Sequence, residues 1–355
     1  MAGTASSLCE MVAHIGSTSQ QGAGALTFGS GSWNIDPLRE NLSYRSRIIN
    51  PDVITGVLQK HGERSRLGPS MVAGQIIKNV SPYDLDFIFQ MLGTGAAGGA
   101  GSDEYELTGT ADPKYFNLLK YLTIDQGTNQ EAIEYYDCKL NRFVLRGQQA
   151  TQGNQAGLAL QGILDIIGKG RAIGGSAEVW DSSYGTRTGT AEQQSYLYTD
   201  TDNSGTTRLD ITINAASYAI TPLDFTLVWH NHLKPQWYNS LEFSALCPQG
   251  RTILVDMTLP WDTVHDALAN ETLANGDTNG TTFTLTFVNG DVSTTMNFRN
   301  FQWPNEDPTI PGKPGEVTFK IRGQAYGDVH TDGSSRVEFS DGVNTNAVLN
   351  DTNPA

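Results

Sequence analysis

The sequence predicts a mainly β protein made of two tandem modules, each a set of short strands around a short helix. Three observations carry this. The chain has 355 residues, more than one ordinary core holds and about right for two. Its 38 Gly and 14 Pro, with abundant Thr, Asn and Asp, are the chemistry of tight turns between short strands. A set of motifs also occurs twice in the same order.

Taken from the start, residues 1–32 are rich in Gly, Ser, Thr and Ala and are expected to be a flexible arm. Strand-like runs follow at 42–49, 53–58 and 71–80. A helix is then expected at Ser81-Pro82-Tyr83-Asp84: Ser81 caps, Pro82 suits the first helical position, and Asp84 complements the helix dipole. Leu85, Ile88 and Leu92 form one stripe, and Gly93 ends it. Residues 93–129 form a long loop with a Gly/Ala-rich start, in which 115–124 is apolar enough for a short helix or a strand. Strands are expected at 131–136, 139–146 and 157–167, the last alternating Leu158, Leu160, Leu164 and Ile166. After a polar stretch at 181–205, strands resume at 208–213, 224–232, 251–259, 281–288, 294–301 and 317–325. Residues 329–355 are a polar tail or an edge strand.

The repeat rests on three matches. Pro82-Tyr83-Asp84 recurs as Pro260-Trp261-Asp262, each after a strand and before an expected helix. Leu140-Asn141-Arg142-Phe143 corresponds to Phe298-Arg299-Asn300-Phe301. The run from Leu158 to Gly168 has the spacing of the run from Val317 to Gly327. The division expected is therefore an arm at 1–32, modules at 33–180 and 181–328, and a tail at 329–355.

Bulk chemistry narrows the function. Asp+Glu 38 against Lys+Arg 23 gives a net charge of −15, and Arg39, Arg45, Arg47, Lys60, Arg64 and Arg66 are diluted by Glu40 and Glu63. Stable binding to duplex nucleic acid is disfavoured, because phosphates are neutralised by clustered cations. Residues 1–21 lack a basic n-region and a clean apolar run, so a protein made in the cytoplasm is expected. No apolar stretch approaches the ~18 residues of a membrane span. Cys9, Cys138 and Cys247 are widely spaced and form no CxxC pair.

Each catalytic or metal-like motif in the sequence is incomplete. His230-Asn231-His232 puts two imidazoles together, without an evident third zinc ligand beyond Asp224 or Asp256. Asp200-x-Asp202-x-Ser204-Gly205 imitates a calcium loop but has Ile211 where a bidentate Glu is needed. Gly93-Thr94-Gly95-Ala96-Ala97-Gly98 follows a helix, the wrong context for a dinucleotide fingerprint. Trp229, Trp237, Tyr238, Trp261 and Trp303 would suit a sugar platform, but Trp229 and Trp261 sit in core-like contexts. No catalytic residue, metal or cofactor is expected.

The segment from Asn79 through Ser81-Pro82-Tyr83-Asp84 to Gly93 resembles the helix of siphophage major tail tube proteins, those of long non-contractile tails. Tyr136-Asp137-Cys138-Lys139-Leu140-Asn141-Arg142-Phe143, with the alternating strand ending Ile167-Gly168-Lys169, is similar to that family's central sheet. Ala216 to Leu227, Asn231-His232-Leu233-Lys234-Pro235 and Pro248-Gln249-Gly250-Arg251 resemble its later strands. The resemblance implies β-sandwich modules, each with a flanking helix, whose lumen sheets join side by side into a β-barrel ring. Rings then stack into a tube, the conduit for genome ejection. It implies partners of the same kind: other copies of this chain, tail proteins at the tube ends, and a tape measure protein then DNA in the lumen, without stable binding and without a membrane. The location implied is the virion tail.

Two modules per chain make a homotrimeric, pseudo-hexameric ring the expectation, with a homohexameric ring as the alternative. Six modules of four lumen strands give roughly 24 strands and a bore of about 38 Å. An acidic lumen is expected to let DNA slide. The loop 93–129 is expected to stack rings through an apolar patch of Tyr115, Phe116, Leu118, Leu119 and Leu122. The rival readings are a tail-tip or head–tail connector component of the same fold, and a carbohydrate-binding β-sandwich adhesin.

Overall fold

The computed structural model describes residues 9–29, 31–49, 66–92, 95–96, 104–107, 112–124, 129–148, 159–174, 195–196, 209–213, 218–220, 222–261, 281–289, 292–304, 317–326 and 337–341. The expected strand at 53–58 and the Asp200 turn lie outside these, as does the Gly93 fingerprint apart from Gly95 and Ala96. The first part of the chain contains β1 (Cys9–Ile15), β2 (Trp33–Ile35), β3 (Arg39–Glu40), β4 (Ser43–Ile49), β5 (Arg66–Asn79), α1 (Pro82–Met91), β6 (Gly95–Ala96), β7 (Glu104–Leu107), β8 (Phe116–Ile124), β9 (Asn129–Gln148), β10 (Gln161–Gly168) and β11 (Gly170–Ile173). There follow β12 (Leu209–Ile213), β13 (Tyr218–Ile220), β14 (Asp224–His230), β15 (Leu233–Gln236), β16 (Ala245–Pro248), β17 (Thr252–Pro260), β18 (Thr281–Asn289), β19 (Val292–Gln302), β20 (Thr318–Ala325) and β21 (Val337–Asp341). The protein is mainly β, with open sheets of the sandwich type.

The same antiparallel pairings occur twice. β2–β1–β8–β9–β10–β5–β4 is the order in the first part of the chain. β13–β12–β18–β19–β20–β17–β14 is the order in the second. A further strand lies on the long one each time, β11 on β9 and β21 on β19.

The long strand joins the two layers. β9 pairs with β8 and β11 through its first half, then with β10 and β14 through its second. It changes layer at Asp137, whose φ of 50° is a conformation Asp tolerates better than most residues. That bend is why the sequence suggested two strands, 131–136 and 139–146, where one of 20 residues exists.

Burial follows from the patterning. β10 alternates strictly, with Gly162, Leu164, Ile166 and Gly168 inward, and β14 and β17 do the same. β8 is apolar on successive positions because both its faces are covered; Phe116, Leu118 and Leu119 are all buried. It is a strand, which settles the alternative left open for 115–124. The core runs continuously through both parts of the chain, from Trp33 and Phe87, stacked at 5.8 Å, to Phe283 and Phe301, stacked at 4.6 Å.

Helix α1 forms where expected. Ser81 caps it, and Asp84 returns the bond by accepting from the Ser81 N–H at 2.9 Å, a capping box. All ten helical residues are buried, so the Leu85–Ile88 stripe is only part of what packs. Asp84 also receives the Trp33 indole N–H at 2.9 Å and the buried Lys78 ammonium. Among the described residues no helix is long and apolar enough to cross a membrane.

Candidate functional site

One face of the sheet β4–β5–β10–β9–β14–β17–β20 covers the core and the other is open. Register assigns the open-face side chains in rows across the strands. Ile77, Ile163, Val144, Val228, Leu254 and Gln324 form one row; Gln75, Asp165, Arg142, His230 and Thr252 form the next. A third runs Gln161, Arg146, Thr226, Asp256 and Arg322.

On this face the described strands carry the cations Arg39, Arg45, Arg142, Arg146, Lys320 and Arg322, and the anions Asp165, Asp224 and Asp256. Arg142 lies 3.8 Å from Asp165 and Arg322 lies 3.2 Å from Asp256. Among the described residues, the acidic surplus of the chain is therefore not on this open face; net charge does not say where charges sit.

The second half of β9 is the seam between the two repeats, pairing with β14 from Arg142↔His230 to Gln148↔Asp224. Asn231, fully buried at its end, locks it. Its backbone N–H donates to Asn141 O at 2.8 Å and its side-chain amide to Leu140 O at 2.9 Å; its Oδ1 accepts from Trp229 Nε1 at 3.1 Å and Arg251 Nε at 3.2 Å. Asn141 reciprocates by accepting the Leu233 N–H at 2.8 Å.

The flanking rings of the His230-Asn231-His232 motif lie 3.8 Å apart and tilted by 37°, and burial, then His232 and Arg142, hold the His230 pKa below its ordinary value. No group of three metal-ligating side chains occurs among the described residues. The motif's amide, which sequence reasoning passed over, is its structural centre.

The β15–β16 hairpin extends the contact. Lys139 is buried against Tyr115, bonds Leu246 O at 3.4 Å and pairs with Asp112 at 2.9 Å. Tyr115 packs with Phe243 and Leu246.

Two corrections concern the amino-terminal arm and the stacking patch. β1 pairs along its whole length with β8, and its Met11, Val12 and Ala13 are buried. The Gly-rich segment after it is tied down by two buried carboxylates: Asp137 accepts from the N–H groups of Gln21 and Gly22 at 2.6 and 3.0 Å, and Glu134 from Gly24 at 3.0 Å. A flexible arm over all of 1–32 is thus not what forms; acceptors more than a hundred residues away supply the order. Likewise Tyr115, Phe116, Leu118 and Leu119 already lie in the chain's own core, and Leu122 faces Cys9 and Glu131 in the ladder. Tyr115, Phe116, Leu118 and Leu119 offer no free apolar patch, because they are packed into the three clusters of the core, and Leu122 is half-buried.

The remaining motif residues fall as follows. Pro82 opens α1, and Tyr83 donates its hydroxyl to Ser32 O at 3.2 Å. Pro260 ends β17 opposite Thr318, and Trp261 packs edge-on against Phe319 at 5.8 Å. Asp262 and the helix expected after it lie outside the described residues. Within the expected polar tail, β21 pairs with β19 and with β7.

The described strands form a repeated β-sandwich whose sheets join edge to edge along β9 and β14. The chain matches the family described as phage tail tube protein over residues 14–325, and it belongs to that family. No curated protein matches it. It is a structural component of the phage virion tail.

Proposed function

We propose that this chain assembles into stacked rings that form the wall of the tail tube, three chains to a ring, with the open face of the sheet lining the lumen. The observation that carries the reading is the seam: two copies of one strand order already join edge to edge within a chain, giving a seven-stranded sheet with one continuous open face. Modules at about 33–180 and 181–328 each supply one unit of that sheet. With the outgoing end of β19 as an eighth strand, three chains supply the roughly 24 strands of the expected barrel. Closure satisfies the sheet edges that would otherwise template aggregation.

The protein acts by assembly and positioning, without a catalytic centre. The tape measure protein and then DNA occupy the lumen without stable binding, and the tube is built in the host cytoplasm before it joins the virion. Since the apolar residues of β8 are internal, contact between rings falls to the stretch between α1 and β8 ahead of Tyr115.

Electron microscopy of the purified protein, with mass measurement of single rings, tests this. Three chains per ring is expected. Six per ring refutes the arithmetic, and a protein that stays monomeric at every concentration refutes the tube.

A further inference from the structure

Of the stretch joining β11 to β12, the described residues between 175 and 208 are Ser195 and Tyr196. Tyr196 is completely buried, within a run that the sequence makes polar. Its backbone belongs to the first repeat. The Tyr196 N–H donates to Val80 O at 2.8 Å, its carbonyl accepts from the Leu160 N–H at 2.9 Å, and the Val80 N–H closes the circuit on Leu160 O at 2.9 Å. Three peptide groups thus seat it over the paired ends of β5 and β10. Its side chain belongs to the second repeat. The hydroxyl bonds Thr294 Oγ1 at 2.7 Å, and the ring lies 5.5 Å from that of Phe287. Thr294 on β19 and Phe287 on β18 are register partners, and both are buried. β18 and the first half of β19 are the counterparts of β8 and the first half of β9, so this contact is made away from the seam strands.

An edge-to-edge seam is a line, and two sheets joined along a line can differ in the angle between them. Neighbouring strands twist relative to one another by anything from about −10 to −35°. Fixing the angle takes contacts off that line. At the Arg142–His230 end of the seam, Arg251 reaches Leu92 O, and Leu246 of the β15–β16 hairpin bonds Tyr115 and Lys139. The Gln148–Asp224 end is the end at which β5 and β10 pair through Asn79 and Gln161. There Tyr196 supplies a cross-repeat bond, and α1 rests on β19 as well. A hydroxyl bonded inside the core is a strict constraint, since breaking it leaves two buried polar groups unpaired.

We infer that Tyr196 is the pin that sets the angle between the two repeats, a positioning residue that gives the joined sheet one curvature. It is fixed by its backbone to one repeat and by its hydroxyl to the other, so the repeats cannot rock about the seam without breaking a buried bond. The consequence for assembly rests on the ring reading: rings of one size close only if every chain contributes the same turn.

Double electron–electron resonance on the unassembled chain tests the pin. Spin labels go on Gln75→Cys in β5 and Lys320→Cys in β20, exposed open-face positions on either side of the seam. Cys9→Ser and Cys247→Ser leave only Cys138, which is buried. The chain with Tyr196 should give one narrow distance distribution, Tyr196→Ala a broad one, and Tyr196→Phe, which keeps the ring against Phe287 and loses the bond, an intermediate width. A urea titration runs beside it. A tyrosine that only stabilises the core lowers the urea midpoint and leaves the folded chain's distribution as narrow as before; that result overturns the inference, as does a broad distribution with Tyr196 in place. If Tyr196→Ala does not fold, Tyr196→Phe decides alone, and an unchanged width overturns the pin. Electron microscopy without labels then separates the two readings. Rings of mixed size or open arcs from Tyr196→Ala, beside uniform wild-type rings, support the link to closure, and uniform rings from that variant overturn it. Wild-type protein that never forms rings overturns the tube reading, while the distances still decide the pin.

Discussion

Replacing Asn231 by Leu should loosen the seam more than any exposed change on the same strands. Leucine keeps the volume and the backbone bond to Asn141 O, but it removes the donor to Leu140 O and the acceptor for Trp229 Nε1 and Arg251 Nε. The site is fully buried, so water does not readily replace these partners. Two buried neutral groups at about 1–3 kcal/mol each give a loss of roughly 2–6 kcal/mol, and relaxation of the half-buried Arg251 places the expectation near 3 kcal/mol. Urea titration followed by tryptophan fluorescence measures the total. Hydrogen exchange locates it: amides of 142–148 and 224–230 should exchange faster, while those of 11–15 in β1 should change little. A loss below about 1 kcal/mol, or unchanged exchange across the seam, would refute the assignment of Asn231 as its lock.

Three further outcomes are expected. Asp84→Asn should cost about 3–5 kcal/mol by leaving the buried Lys78 ammonium without its counter-charge, and adding Lys78→Met should recover much of that; denaturant titration of the single and double variants measures both. Burial holds His14 below its ordinary value of 6.5, where its neutral ring bonds Ser32 Oγ at 3.0 Å. The unfolded chain therefore takes up a proton that the folded chain resists: this stability is present above pH 6.5 and lost as pH falls through the lower folded value, and His14→Gln should flatten that part of the pH–stability curve. Cys138 is fully buried and its thiol is pushed up by burial, then by Asp137 and Glu134, so a thiol reagent should label the partly exposed Cys247 first and reach Cys138 only on unfolding.

Local chemistry was legible wherever one short segment determined the outcome. Ser81, Pro82 and Asp84 encode the cap of α1 among themselves, and β10, β14 and β17 announce one covered face by alternation. The repeat was legible because the strands recur in order. What failed needed a partner distant in sequence. Nothing in Gln21-Gly22-Ala23-Gly24 signals order, since its backbone is held by Asp137 and Glu134. The available signal was in β9, where acids sit among Tyr135, Tyr136 and Cys138 at positions that turn out fully buried. The β8 residues were misplaced for the opposite reason. An apolar run beside a long loop looks free to bind a neighbour, and only packing against residues distant in sequence shows that its faces are taken.

The charges of the open face bear on how a tube can pass DNA. An acidic wall would repel the duplex, while an unopposed row of arginines would hold it by counterion release. On the described open face two of the six cations are ion-paired: Arg142 faces Asp165 and Arg322 faces Asp256, each within 4 Å of an anion on the adjacent strand. Such exposed pairs add little stability, generally under about 1 kcal/mol. Their effect on the field is larger. Opposite charges a few ångströms apart cancel over distances beyond their separation, and salt screens the remainder within about 8–10 Å. Under the tube reading, a duplex near the axis meets these rows as dipoles and not as net charge. The other cations of the face are Arg39 and Arg45 on β3 and β4, Arg146 on β9, which bonds Gln161, and Lys320 on β20. Their charge is spread over different rows and not gathered into one, so under the tube reading it gives the duplex no continuous cationic track to bind.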